Sequence, residues 1–207
     1  EIAAAYVAGA LTLADAVRIV CVRSQLVSQS PGGRMAVVGL SLAAAQAALA
    51  DYAGRLVVAV VSSPESTVIA GQAEAMAALQ TALGSRGVKV HPVQVNYASH
   101  SPQMDALLPE LRRRLAGIAP RPGTTMFIST CTGQAMAGAS LDAEYWTQSL
   151  RQPVLFLPAV EQLAAAGFTL FVEADPHQIL AQSLQRCLPA AVAPGNVIAC
   201  AVRNEPE

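Results

Sequence analysis

Apolar positions recur along this chain with two different periods, and the change of period divides it. Residues 1–8 are almost continuously apolar and read as a helix closed by Gly9, the residue best suited to the left-handed backbone that ends helices. Residues 12–28 carry Leu13, Ala16, Val17, Val20 and Val27 at helical spacing. Thr12 is the predicted cap of that helix, and Asp15 in its first turn suits the helix dipole. Ser30-Pro31-Gly32-Gly33 ends it.

The apolar runs then shorten. Residues 35–38, 56–61, 67–70 and 88–95 read as strands, with Ser62-Ser63-Pro64 as a turn. Residues 42–52, capped by Ser41, and 72–83 read as helices. The order βαββαβ predicts a ferredoxin-like unit over residues 33–95. After Asn96 the α/β pattern resumes. Ser101 caps and Pro102 opens a helix to about residue 116, in which Pro109 predicts a kink or a late start. Strands follow at 125–129, 169–173 and 197–202, and helices at 143–150, 158–166 and 177–187. The prediction is an α/β layer domain made of residues 1–32 and 96–203, with the ferredoxin-like subdomain inserted and a linker starting at 204–207. Ligand sites in such pairs favour the cleft between the two parts.

Composition narrows the classes. The 207 residues are 53% hydrophobic and 13% charged, about half the usual charge, which fits a buried parallel sheet under helices and excludes disorder. A net charge of −1 without a basic stripe argues against nucleic-acid binding, and Arg112-Arg113-Arg114 reads as a solvated helix face. No apolar run reaches the roughly 18 residues of a membrane span, and no leader pattern is read. Cys21, Cys131, Cys187 and Cys200 are scattered, which predicts reduced, mostly buried thiols in a cytoplasmic protein. His91, His100 and His177 do not cluster in sequence, so no metal site is expected. The chain opens on Glu1-Ile2-Ala3-Ala4-Ala5, a strong helix former, and reads as cut inside a domain.

Four places offer chemistry. Arg23 falls on the apolar arc of its helix, where a guanidinium needs either a structural ion partner or an anionic ligand. His100 sits on the loop Asn96–Pro102 between a strand and a capped helix, positioned either to bond backbone or to take a proton from a hydroxyl. Gly39-Leu40-Ser41-Leu42-Ala43 has the outline of a nucleophile elbow, but Ser41 is better explained as a helix cap. Phe171–His177 runs from a strand end into a helix, where carbonyls could orient a histidine or His177 could serve only the helix start.

Taken together the motifs resemble a known family. Glu1–Leu11 is similar to the segment after the G-H-S-x-G elbow in acyltransferase domains of modular polyketide synthases. Tyr97-Ala98-Ser99-His100 matches that family's Y-A-S-H motif, and Tyr145-Trp146 with Leu150–Val154 resembles its Y-W-x-x-N-L-R-Q-P-V stretch. Phe127–Thr130 resembles its F-x-S-T strand, and Phe171–Glu173 with Pro176-His177 its F-V-E-x-x-P-H stretch. The resemblance implies an α/β-hydrolase-like large domain and a ping-pong acyl transfer from an acyl-coenzyme A to the phosphopantetheine of an acyl carrier protein, with no tightly bound cofactor. It implies His100 as general base, Arg23 as clamp for a malonyl-type carboxylate, and a serine nucleophile about three residues before Glu1. With the strand that feeds the elbow also upstream, residues 1–207 are expected not to fold stably alone. Tyr97, Ala98 and Ser99 imply a methylmalonyl unit, since Ser99 leaves room for an α-methyl group where a phenylalanine accompanies malonyl. Ser62 and Ser149 depart from family asparagines, and Ser62 is expected near the substrate. The alternatives are a malonyl-specific transacylase, a serine hydrolase, and an inactive module that docks a carrier protein.

Overall fold

Two helices lead the chain, and both are closed by local chemistry. The structure, a computed structural model, describes residues 1–30, 32–189 and 194–201; the readings of Pro31, Val202 and the linker at 204–207 lie outside the described residues. α1 (Ile2–Val7) ends before Gly9, whose φ of 77° is the left-handed value expected there. α2 (Leu13–Val27) starts where Thr12 Oγ1 accepts the Asp15 N–H at 3.0 Å and donates to the Asp15 carboxylate at 2.7 Å. The buried side of α2 is Ala16, Ile19, Val22, Leu26 and Val27. Leu13, Val17 and Val20 from the expected stripe face out beside Tyr6. The helix carries apolar residues on two sides, and periodicity alone cannot say which one meets the core.

The middle of the chain is the ferredoxin-like subdomain. β1 (Arg34–Val38), α3 (Leu42–Ala48), β2 (Leu56–Ser63), β3 (Ser66–Gly71), α4 (Ala73–Ser85) and β4 (Val90–Pro92) follow in order. The strands form one antiparallel sheet in the order β2-β3-β1-β4. One face packs Ala36, Val38, Leu56 and Ile69 against Met76, Leu79 and Leu83 of α4. The other packs Met35, Ala59 and Ala70 against Ala98. Ser41 caps α3 by accepting the Ala44 N–H at 3.3 Å. β2 runs to Ser63, which pairs with Ser66, so the turn is Pro64-Glu65 rather than the expected Ser62-Ser63-Pro64. Burial alternates through Val61, Ser62 and Ser63, and the sheet overrides the weak turn preference of the serines. β4 is shorter than expected, although just beyond it the Val93 N–H still donates to the Met35 carbonyl of β1 at 2.9 Å. The chain enters and leaves this unit side by side: the Gly33 N–H donates to the Asn96 carbonyl at 3.0 Å.

The remainder completes the larger body. A 3-10 turn at Pro102–Leu107, capped by Ser101, precedes α5 (Leu108–Leu115), which starts late with Pro109 in its first turn. β5 (Phe127–Ser129) pairs antiparallel with β6 (Gln134–Met136), a strand the sequence did not suggest. α6 (Ala143–Arg151) and α7 (Phe156–Ala165) follow. β7 (Phe171–Glu173) pairs in parallel with β8 (Val197–Ala199) across α8 (Ala181–Cys187). Among the described residues the large body thus holds only short strand pairs rather than an extended parallel sheet. Its core joins α1, α2, α5 and α6 through Ile19, Leu26, Met104, Leu111, Trp146 and Leu150. Trp146 satisfies its indole N–H on the Leu141 carbonyl at 2.8 Å. α8 begins at Ala181 rather than 177 because the buried Glu173 carboxylate accepts the N–H groups of Ile179, Leu180 and Ala181 at 2.6–2.9 Å. Burial pulls the Glu173 carboxyl up, but these three bonds outweigh it and hold it below the usual carboxylate range.

The surface readings divide. Arg112 pairs with Glu144, Arg113 with Glu110, and Arg114 donates to Gln25, so the arginine triplet is engaged along the protein's own exposed face. Of the cysteines only Cys187 is buried; Cys131 is half-buried, and Cys21 and Cys200 are exposed, against the expectation of mostly buried thiols. Among the described residues no helix is long and apolar enough to cross a membrane.

Candidate active site

His100 is held from two directions by the end of one helix. Its backbone N–H donates to the Leu150 carbonyl at 3.0 Å, and its Nδ1 lies 2.7 Å from the Gln152 carbonyl. A carbonyl oxygen only accepts, so Nδ1 carries the proton and Nε2 keeps its lone pair. His100 is also the one non-glycine residue at positive φ among those described, at 59°. That conformation costs about 1 kcal/mol or more and persists only where surrounding contacts enforce it. The anchor is itself fixed. Gln152 donates its N–H to the Gln148 carbonyl at 2.8 Å. Val154 then bonds Ala59 and Val61 of β2, both at 2.8 Å, as a short extension of the small sheet. Burial lowers the His100 pKa to about 4; Arg23 acts in the same direction, while the Gln152 carbonyl and Glu1 oppose it. A neutral imidazole with a free Nε2 is the form a general base needs.

Arg23 and His100 line the same cavity. It measures about 420 Å³, and Glu1, Thr130, Ser149 and Val154 complete much of its wall. Arg23 is partly buried and has no hydrogen-bond or ion-pair partner among the described residues. Burial pulls its pKa below the ordinary guanidinium value, opposed by Glu1 and Tyr97. A guanidinium so placed has its full fork of donors available to an anion. Arg23 also borders a second pocket of about 370 Å³, shared with Val20, Val27, Asn96, Tyr97 and Ser99. Ser99 is buried there, and Tyr97 packs against both the helical core and the small sheet.

One wall is fastened by Glu1, which the sequence presented only as a helix former. Its carboxylate accepts the backbone N–H and, at 2.8 Å, the hydroxyl of Thr130, together with the Tyr145 hydroxyl at 3.0 Å. The Tyr145 oxygen lies 2.8 Å from Ser129 Oγ, and burial followed by the Glu1 charge pushes the Tyr145 pKa up. The F-x-S-T and Y-W segments therefore meet at the start of α1.

Other candidates lie elsewhere. Ala98 is fully buried against the small sheet and lines neither cavity. Ser62, on β2, also lines neither; its carbonyl accepts the Cys187 thiol at 3.2 Å. The carbonyl that orients the cavity histidine, His100, belongs to Gln152, not to the segment 171–177. His177 is exposed, with Nδ1 2.6 Å from the Pro176 carbonyl, and serves the approach to α8. Gln152 escaped the sequence reading because every residue has a carbonyl. Ser149 stood out there only as a departure from a pattern.

The acyl transferase domain profile matches residues 1–207. The chain is 42% identical over 192 residues to erythronolide synthase EryA2 of Saccharopolyspora erythraea, covering 92% of this chain and 5% of that protein. It is 44% identical over 207 residues to the spectinabilin polyketide synthase system protein NorC of Streptomyces orinoci, covering 99% of this chain and 9% of that one. This chain therefore spans a small part of these relatives. Among solved structures it superposes on the acyltransferase domain from module 8 of the salinomycin polyketide synthase with a TM-score of 0.94, at 37% identity over 99% of this chain and 49% of that one. The malonyl-CoA:acyl carrier protein transacylase of Xanthomonas oryzae superposes with a TM-score of 0.88, at 26% identity over 98% of this chain and 66% of that one. The chain belongs to the acyl transferase domain family, as an acyltransferase domain of the polyketide synthase kind.

Proposed function

We propose that this domain moves a malonyl-type extender unit, methylmalonyl in particular, from coenzyme A to the phosphopantetheine thiol of an acyl carrier protein. The observation that carries the reading is the single cavity shared by Arg23 and His100. Arg23 binds the free carboxylate of the acyl unit with its fork. A serine, which the family motif places just ahead of Glu1, attacks the thioester carbonyl. His100 Nε2 takes the serine proton and returns it to the departing coenzyme A thiol. In the second half the carrier thiol gives its proton to the same nitrogen and attacks the acyl-serine, and the serine oxygen recovers a proton as it leaves. The coenzyme A thioester is a substrate, and no tightly held cofactor enters these steps. The pocket beside Arg23, with Ser99 small and buried on its wall, supports a methyl-bearing unit. A cytoplasmic setting follows from the coenzyme A donor. A hydrolase reading leaves Arg23 without a task.

The test uses the whole domain with its preceding residues, incubated separately with malonyl- and methylmalonyl-coenzyme A and followed by intact mass. The expected result is a methylmalonyl adduct that passes to a carrier thiol faster than to water. A malonyl adduct alone overturns the methylmalonyl assignment. Rapid loss to water overturns the transferase in favour of a hydrolase, and no adduct from either donor overturns the reading as a whole.

A further inference from the structure

A carboxylate offers about four acceptor sites, and one guanidinium fork fills two of them. A carboxylate drawn into the partly enclosed cavity needs further donors, or it keeps an uncompensated desolvation penalty. The donors on the cavity wall can be counted. The Thr130 hydroxyl and N–H are both given to Glu1. His100 Nδ1–H is given to Gln152. Ile2, Ala3 and Val154 are apolar, and the Glu1 carboxylate only accepts. Besides Arg23, the side-chain donor left on this wall is the hydroxyl of Ser149.

Ser149 behaves unlike its neighbour in the same helix. Thr147 bonds back to the Ala143 carbonyl at 2.7 Å, the ordinary refuge of a helical hydroxyl. Ser149 is 8% exposed as a residue, and its hydroxyl, which bonds none of the described residues, is left open on the cavity rather than sealed in the core. A hydroxyl that opens on a cavity with no protein partner has its donor free for a ligand that enters there. Ser149 also directly precedes Leu150, whose carbonyl holds the His100 backbone, so its place relative to the imidazole is fixed.

We infer that Ser149 is a substrate-binding residue whose hydroxyl completes, with Arg23, the site for the acyl unit's carboxylate. The inference rests on the carboxylate clamp proposed above. Its test compares donors that differ only by that carboxylate, methylmalonyl- and propionyl-coenzyme A, on the whole domain. A hydrogen bond to a charged group is worth enough that Ser149→Ala lowers the ratio of acylation kcat/KM for the two donors by about tenfold or more. Ser149→Thr, which keeps the hydroxyl, restores most of the ratio. Equal losses with both donors, or an unchanged ratio, overturn the inference. Arg23→Ala in the same assay separates the two readings: if it collapses the ratio while Ser149→Ala does not, the clamp stands and Ser149 has no part in it; if neither changes the ratio, both fall.

Discussion

The imidazole Nδ1 of His100 lies 2.7 Å from the backbone carbonyl of Gln152, and that contact decides which nitrogen can do chemistry. The carbonyl fixes the tautomer as a side-chain carboxylate does in the serine–histidine–aspartate arrangement, but without adding a buried charge. It can do so because Gln152 is the hinge between α6 and the short pairing of Val154 with β2. The ferredoxin-like subdomain therefore helps hold the histidine, although His100 lies outside that unit.

The pH dependence follows from this burial. With its pKa lowered to about 4, His100 stays neutral well below the ordinary histidine range. The acylation rate of the whole domain is expected to stay level from pH 7 to about 5 and to fall toward pH 4, measured by rapid-quench intact mass. Between the ordinary value of 6.5 and the folded value of about 4, the unfolded chain binds a proton that the folded chain refuses. Stability therefore falls as pH drops through that window, and His100→Gln removes this part of the slope. A rate limb centred at 6.5 contradicts the account.

Gly33 sits where the chain enters the small subdomain, against the loop that carries Tyr97, Ala98 and Ser99. A Cβ there meets the Ala98 Cβ and N at 2.8 Å and crowds the Gln103 side chain. The backbone N–H of Gly33 is meanwhile held by Asn96, so the residue cannot swing aside freely. Gly33→Ala is expected to destabilise the domain by about 1–3 kcal/mol, read from the denaturant midpoint, and to reduce acylation as the loop shifts. An unchanged midpoint counts against this packing.

The sequence showed much of the fold where side chains cap or pattern an element. Thr12 and Ser41 sit at the helix starts they announced, and the βαββαβ order emerged from short apolar runs. It hid what depends on tertiary choice. Gln134–Met136 has no apolar alternation and becomes a strand only because β5 pairs with it. Residues 62 and 63 read as a turn beside a proline but continue a ladder. At the site, Arg23 and His100 were visible as residue types with unusual placements. The carbonyl of Gln152 was not, since a backbone acceptor leaves no mark in a sequence. Glu1 and Ser149 needed the cavity itself, because nothing local distinguishes their side chains from an ordinary helix start and an ordinary helical serine.

The central claim is that Arg23 selects the acyl unit by its carboxylate at the cavity it shares with His100. The most direct measurement is the single-turnover acylation of the whole domain by methylmalonyl-coenzyme A against propionyl-coenzyme A, in wild type and Arg23→Ala. The account predicts a strong wild-type preference for the carboxylated donor that falls by about a hundredfold in Arg23→Ala, since a buried charge loses its partner. An equal preference in the two proteins would contradict it.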